Sequence, residues 1–241
     1  KLSDGSNIQQ SEKPVNFWIS LAPIAVLSEY FAMLLAHDAR HVVAVSSTSR
    51  FTKSESSDEQ EKKIARDLTE GEEYLIAWAE RKKLTFTILR PTLIYDPGND
   101  KNVSAIASFI RHFSFFPVLG TACGLRQPIH AQDVASCCVA TLTSKAAINK
   151  CYNISGKEII SYREMVNRIF AALHKRPRII TFPLWLFWLA LLFLRVLPPF
   201  RRWSVAMAQR MNQDLVFSHD DASRDLGFEP RPFILTDIDL H

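Results

Sequence analysis

The chain has 241 residues, of which 47% are hydrophobic and 22% charged. That length and balance exclude a disordered segment and allow one large α/β domain, or a domain with a small lobe. A net charge of +4, with no Lys/Arg block longer than three residues, gives no nucleic-acid footprint. The four cysteines (Cys123, Cys137, Cys138, Cys151) have neither metal-site spacing nor a secreted-framework pattern, so no metal is expected. Such cysteines point to a reduced, cytoplasmic compartment.

Lys1 opens a polar lead with no initiator Met or signal peptide, and a further N-terminal piece is expected to precede it. Residues 15–21 form an apolar strand that ends at Ala22-Pro23. Ile24, Leu27, Phe31, Leu34 and Leu35 then recur at helical spacing, and 41–46 is a second strand. The Ser/Glu-rich stretch 52–61 reads as a solvent-facing loop. A helix over 58–80 carries Ile64, Leu68, Gly71, Leu75 and Trp78 on one stripe, and 84–89 returns to a strand. Strands alternating with helices predict a doubly wound parallel sheet of the α/β class. The domain boundary is placed near residue 97. Residues 1–97 form the main sheet domain and 98–241 a smaller lobe, with segments returning to the main sheet.

In that lobe Val103, Ile106, Ala107, Ile110 and Phe113 mark a helix, and Asp133 is placed to cap the next one. Tyr152-Asn153-Ile154 is a short strand, and Ser161 with Glu164 is a capping box opening a helix through Leu173. The apolar run Leu184 to Leu194 is too short to span a bilayer, which takes roughly 20 residues. Two readings of 184–197 stand: a buried or partner-packed helix, and peripheral attachment to a membrane surface. Trp185 and Trp188 read as packing, and the cysteines as small core residues.

Five segments share a pattern: strand 15–21 with Ala22-Pro23; His41 to Thr48; Ile88-Leu89-Arg90-Pro91-Thr92-Leu93-Ile94-Tyr95-Asp96-Pro97-Gly98; Gly124 to Val134; and Asp225-Leu226-Gly227-Phe228-Glu229-Pro230. In this order they resemble the extended and atypical short-chain dehydrogenases/reductases, in particular the sugar-nucleotide epimerase/dehydratase branch, from about Val15 to Phe233. The resemblance implies an N-terminally truncated Rossmann-like sheet, with NAD or NADP lying across the strand ends. It implies cofactor contacts at Ala22, Pro23, Ser46, Ser47, Pro91, Thr92 and Leu93. Pro91 would turn the backbone groups after it toward the cofactor amide. The glycine-rich phosphate loop has no counterpart among the seven glycines, so weak or absent NAD(P) binding is expected of these residues alone.

The same resemblance implies a Ser/Thr hydroxyl and a Tyr-x-x-x-Lys pair for proton transfer. Thr48 matches the hydroxyl. Thr69-Glu70-Gly71-Glu72 sets a helix register that puts Ile64 at the tyrosine position and Leu68 at the lysine position. Both should point toward the cleft without carrying a proton. Lys62, Lys63 and Tyr74 lie on other faces. Either Thr48 and Tyr95 form an unorthodox catalytic set, or the site binds a nucleotide without turnover. Arg126 is expected at a substrate diphosphate, with Gly124 leaving room for a bulky ligand. An ion pair of Arg126 with Asp133 or with the C-terminus is the alternative. His130 is a substrate-side candidate or a packing residue beside the Asp133 cap. Arg210 is a second anion contact or a surface ion pair. The implied function is NAD(P)-dependent epimerisation or reduction of a nucleotide-linked sugar, with a homodimer as expected assembly. A catalytically silent NAD(P)-binding scaffold or assembly protein, of the kind that associates with a membrane, is the alternative.

Overall fold

The computed structural model describes residues 14–96, 100, 102–183 and 209–235. Pro97-Gly98, the boundary at 97 and the run 184–194 lie outside them. In chain order the elements are β1 (Phe17–Ser20), a 3-10 helix (Ile24–Tyr30), α1 (Phe31–Ala36), β2 (His41–Val45), α2 (Ser49–Thr52), α3 (Glu59–Lys82), β3 (Thr85–Pro91) and β4 (Ile94–Tyr95). There follow α4 (Val103–Phe113), β5 (Phe116–Leu119), β6 (Leu125–Arg126), β7 (Ile129–His130), α5 (Ala131–Thr143), a 3-10 turn (Lys145–Ala147) and β8 (Lys150–Ile154). The chain closes with β9 (Ile160–Ser161), α6 (Tyr162–Ala172), β10 (Ile179–Phe182) and α7 (Asp220–Leu226).

Four strands form one parallel sheet in the order β1-β2-β3-β8. Buried on both faces, β2 and β3 read as continuous apolar runs, as parallel strands do. One face packs Val42, Ala44, Phe86 and Ile88 against Ile24, Leu34, Leu75 and Trp78. The other packs Val43, Leu89, Tyr152 and Ile154 against Cys137, Cys138 and Phe228. Each fully buried Leu, Ile or Phe stabilises by about 1.5–3 kcal/mol, so these two layers fix the sandwich. A third cluster (Val103, Ile110, Val118, Met165, Ile169, Phe170) is the core of the lobe. The short strand read at 152–154 is part of β8, which extends the main sheet beside β3.

The α3 helix carries the upper part of the sandwich. Asp58 caps it, accepting from the Gln60 N–H at 2.8 Å, with Glu59 and Glu61 in the first turn and Arg81 and Lys82 in the last. Those signs complement the helix dipole. Gly71 sits where a Cβ would lie 2.8 Å from the Ile24 carbonyl group, so only glycine lets α3 meet the 3-10 helix this closely. Burial pushes the Cys137 thiol up to about 12 and the Cys138 thiol to about 11, which leaves both as inert core residues. Among the described residues no helix is long and apolar enough to cross a membrane, and no His/Cys/Asp/Glu group is arranged to hold a metal.

Candidate active site

Glu72, from the middle of α3, points under the carboxyl ends of β2 and β3 with no exposed surface. Ser46 Oγ donates to its Oε1 at 2.6 Å. Arg90 meets it with two nitrogens, Nε at 3.1 Å to both oxygens and Nη2 at 2.6 Å to Oε2, and Arg50 pairs with the same Oε2. Burial alone would lower the Arg90 guanidinium, but the hydrogen bonds and charge of Glu72 outweigh it and raise its pKa. Both guanidinium carbons lie over the Phe51 ring, at 5.1 and 5.4 Å from its centre. One carboxylate therefore ties together the strand end at Ser46, the helix start at Arg50 and the turn at Arg90.

Thr48 stands inside this clamp. Its N–H and its hydroxyl both donate to the Pro91 carbonyl, at 3.1 and 3.2 Å. Thr48 is buried, while Ser47, whose Oγ accepts from the Ser49 N–H at 3.1 Å, is half-buried. Ala22 and Pro23 are exposed at the end of β1. Beyond Pro91 the backbone does not turn toward a ligand as expected. The Thr92 N–H donates to the Ile154 carbonyl at 3.0 Å, the Thr92 hydroxyl to the Gln127 carbonyl at 2.5 Å, and the Leu93 carbonyl accepts from Ile129. Backbone donors here are satisfied by neighbouring strands first, so Pro91–Leu93 stitch the sheet to the lobe. The described glycines make close packing contacts or turns (Gly71, Gly120, Gly124, Gly156, Gly227) and build no phosphate cradle. Among the described residues no glycine-rich cradle fits the diphosphate of a dinucleotide.

Three catalytic readings are corrected. Ile64 is 41% exposed and so does not point into the molecule, because the buried stripe of α3 runs through Glu61, Ala65, Glu72, Leu75 and Ala79. Leu68 packs partly buried against the core under α3. Tyr95 is 1% exposed, wedged between the rings of His130 and Phe233 at 5.1 and 5.0 Å, so it is a core residue that touches no substrate. The cap of α5 is His130, not Asp133: its Nδ1 accepts from the Gln132 N–H at 3.0 Å, which takes that nitrogen out of base chemistry. Asp133 accepts instead from Arg231, at 2.8 Å from Nε and 3.0 Å from the backbone N–H.

On the lobe side Arg126 is buried and donates to three backbone carbonyls, those of Leu125 and Gln213 at 2.7 Å and that of Arg210. Its guanidinium lies 5.5 Å from the Tyr162 ring centre. Burial lowers its pKa against only a weak pull from Tyr162 and Asp214. The expected pair with Asp133 is absent. The room expected at Gly124 is filled by backbone, since a Cβ there would lie 2.4 Å from the Gln213 carbonyl oxygen. Arg210 pairs with Glu61 of α3, which also accepts from Ser56 at 2.8 Å, and burial lowers the Arg210 pKa. Lys53 is lowered too, by burial first and by Arg210 second. Contacts run unbroken from Thr48 through Pro91, Thr92 and Gln127 to Arg126, Arg210 and α3. Sequence reading missed Glu72, Arg50 and Glu61. Glu72 carried a signal, since it interrupts the apolar stripe between Leu68 and Leu75.

The family model described as NAD dependent epimerase/dehydratase family matches residues 24–155, more than half of the chain. UDP-glucose 4-epimerase of Vibrio cholerae is 24% identical over 117 residues, 48% of this chain and 36% of that protein. NADH dehydrogenase [ubiquinone] 1 alpha subcomplex subunit 9, mitochondrial, of Arabidopsis thaliana is 24% identical over 98 residues, 40% of this chain and 24% of that one. The chain therefore spans about a quarter to a third of the length of these curated relatives. Among solved structures, an epimerase from Methanothermobacter thermautotrophicus superposes with a TM-score of 0.69 at 14% identity, covering 93% of this chain and 69% of its own. With the four-stranded parallel sheet and the strand-end clamp, the match over residues 24–155 establishes that this chain belongs to the NAD dependent epimerase/dehydratase family.

Proposed function

We propose that this chain forms the sheet-end and substrate side of an NAD(P)-dependent oxidoreductase that epimerises or reduces a nucleotide-linked sugar. The observation that carries this reading is the placement of Thr48, whose backbone is held between Ser46 and Arg50, both fixed to Glu72. Its hydroxyl makes one long bond, 3.2 Å to the Pro91 carbonyl, and can re-aim to a sugar oxygen at small cost. The cofactor, when bound, supplies the hydride chemistry. Arg126, whose donors rest on backbone carbonyls while Arg210 is paired with Glu61, is the cation assigned to a substrate diphosphate. A cytoplasmic location fits the free cysteines.

The test incubates the full protein with NAD(H), NADP(H) and a panel of nucleoside-diphosphate sugars, following nicotinamide absorbance and product mass. Conversion is expected, and Thr48→Ala should lower kcat by about 10²–10⁴ while cofactor affinity holds. Activity untouched by Thr48→Ala discards that hydroxyl.

A second reading is a scaffold that binds without turnover. It is favoured by Ile64 and Leu68, at the positions where the Thr69 to Glu72 register would place a proton-transferring tyrosine and lysine. The Arabidopsis relative is named as a subunit of a larger assembly. Cofactor binding with no conversion across the panel supports this reading.

A further inference from the structure

Charge is distributed very unevenly along this chain. Residues 101–132 contain three Lys/Arg and no Asp/Glu, and residues 165–213 contain eight Lys/Arg and no Asp/Glu. The two stretches carry +3 and +8, so a chain whose total is +4 leaves −7 on everything else. Among the described residues the fold brings the end of α4 and β5 beside residues 175–182. Strand β10 pairs in parallel with β5, and the Phe116 N–H donates to the Arg178 carbonyl at 3.0 Å. Lys175 Nζ donates to the carbonyls of Ile110 and Arg111 at 3.1 and 3.0 Å, closing the end of α4.

The corner so formed exposes Arg111, His112, Phe113, Arg176, Arg178 and Ile180. Phe113 is 50% exposed and Ile180 44% exposed, and Phe113 continues into a ring cluster with Phe109 and Phe115. Among the described residues neither Arg176 nor Arg178 has a carboxylate partner, in contrast to Arg168 and Arg224, which are held by acids on both sides. Guanidinium groups among exposed aromatic and aliphatic side chains match the interface of a bilayer, where charges meet headgroups and rings sit at the acyl boundary. A nucleic acid would satisfy the arginines but gains nothing from Phe113 and Ile180. The sequence that leaves this corner at Pro183 runs Leu184 to Leu194 without a polar residue and reaches Arg201-Arg202, the same pairing of apolar and cationic groups.

We propose that this corner of the lobe docks on an anionic lipid surface. The inference is independent of whether the strand-end site turns over. The test is flotation of the full chain with vesicles of phosphatidylcholine alone and with about one third phosphatidylglycerol, across a salt series. Binding is expected on the anionic vesicles only, weakening as salt rises. Arg176→Ala with Arg178→Ala should weaken partitioning about 30-fold, from roughly fivefold per guanidinium near such a surface. Phe113→Ser should weaken binding at every salt concentration. Arg224→Ala, outside the corner, should leave it unchanged, and far-UV circular dichroism checks each fold. If the double variant does not fold, the single Arg178→Gln variant and the wild-type salt slope carry the test. Equal binding to neutral vesicles, no binding to either, or vesicle binding untouched by the arginine variants overturns the proposal. So does a DNA duplex that displaces the vesicles and depends on the same two arginines.

Discussion

On the sheet side of the strand-end rim, Arg50 and Arg90 converge on the sealed carboxylate of Glu72. On the lobe side Arg126 is buried too, yet its donors go to three carbonyl oxygens and no carboxylate bonds to it, Asp214 acting on it through charge alone. The first arrangement neutralises charge within the protein and makes a clamp. The second satisfies hydrogen bonds without neutralising charge, since a carbonyl offers a dipole where a carboxylate offers a full countercharge. A buried cation without a countercharge is costly for a fold to keep, and an anionic ligand would repay that cost. The sheet side is therefore structural support for the rim, and under the proposed function the lobe side is where substrate charge would belong.

The strongest way to break that contrast is Glu72→Ala. It leaves two half-buried guanidiniums facing one another, with an expected loss of about 3 kcal/mol in urea unfolding, the lower end for a buried pair because both cations keep some contact with water. Replacing all three partners with apolar residues, as R50M/E72L/R90M, should recover most of that loss, because the charges leave together. If Glu72→Ala costs no more than an exposed ion pair does, the clamp is not what holds the rim.

Next in size is Arg126→Met, which keeps volume while removing the cation. Three carbonyls lose a donor, for about 1–3 kcal/mol, partly offset because no charge remains to be desolvated. The informative measurement is thermal stability with added pyrophosphate. The wild type should gain and the variant should not, since only a ligand that binds the folded state raises its stability. A gain equal in both proteins would move anion binding away from Arg126.

Much of this was legible in the sequence and some was not. The parallel strands, α3, α4 and the Ser161 capping box follow from period and punctuation, which are local properties. The motifs read as loop tips, but Pro91 ends β3 and Arg126 lies in β6, and the bond from Thr48 to Pro91 is direct. What failed depended on contacts distant in sequence. Tyr95 follows a strand-ending motif, but two rings from residues 130 and 233 bury it. Arg126 takes its partners from 210 and 213, a segment whose return no local pattern announces. Ile64 failed for a different reason: an apolar side chain extended a stripe whose true centre is marked by two acids, Glu61 and Glu72.

The smallest effect comes from a carboxylate that is largely covered, like Glu72, but whose cationic partners stand in water. Asp225 accepts from Lys150 and Tyr152 at 2.8 Å each and from Arg224 at 3.0 Å. The hydrogen bond from Lys150, then those from Tyr152 and Arg224, hold its carboxyl at about 2, below the usual 3.8. A depressed folded-state pKa stabilises above the unfolded value and ceases to do so as pH falls through the folded one. The contribution of this network is therefore complete above about pH 4 and disappears toward pH 2. Asp225→Asn should lower the urea midpoint at neutral pH slightly and flatten the acid limb in that window. Because Lys150 and Arg224 are largely solvated, the shift should also shrink with added salt, whereas the cost of Glu72→Ala should not. Equal salt sensitivity at both sites would mean that the exposure of their cationic partners does not separate the two carboxylates, and the contrast between clamp and solvated network would fail with it.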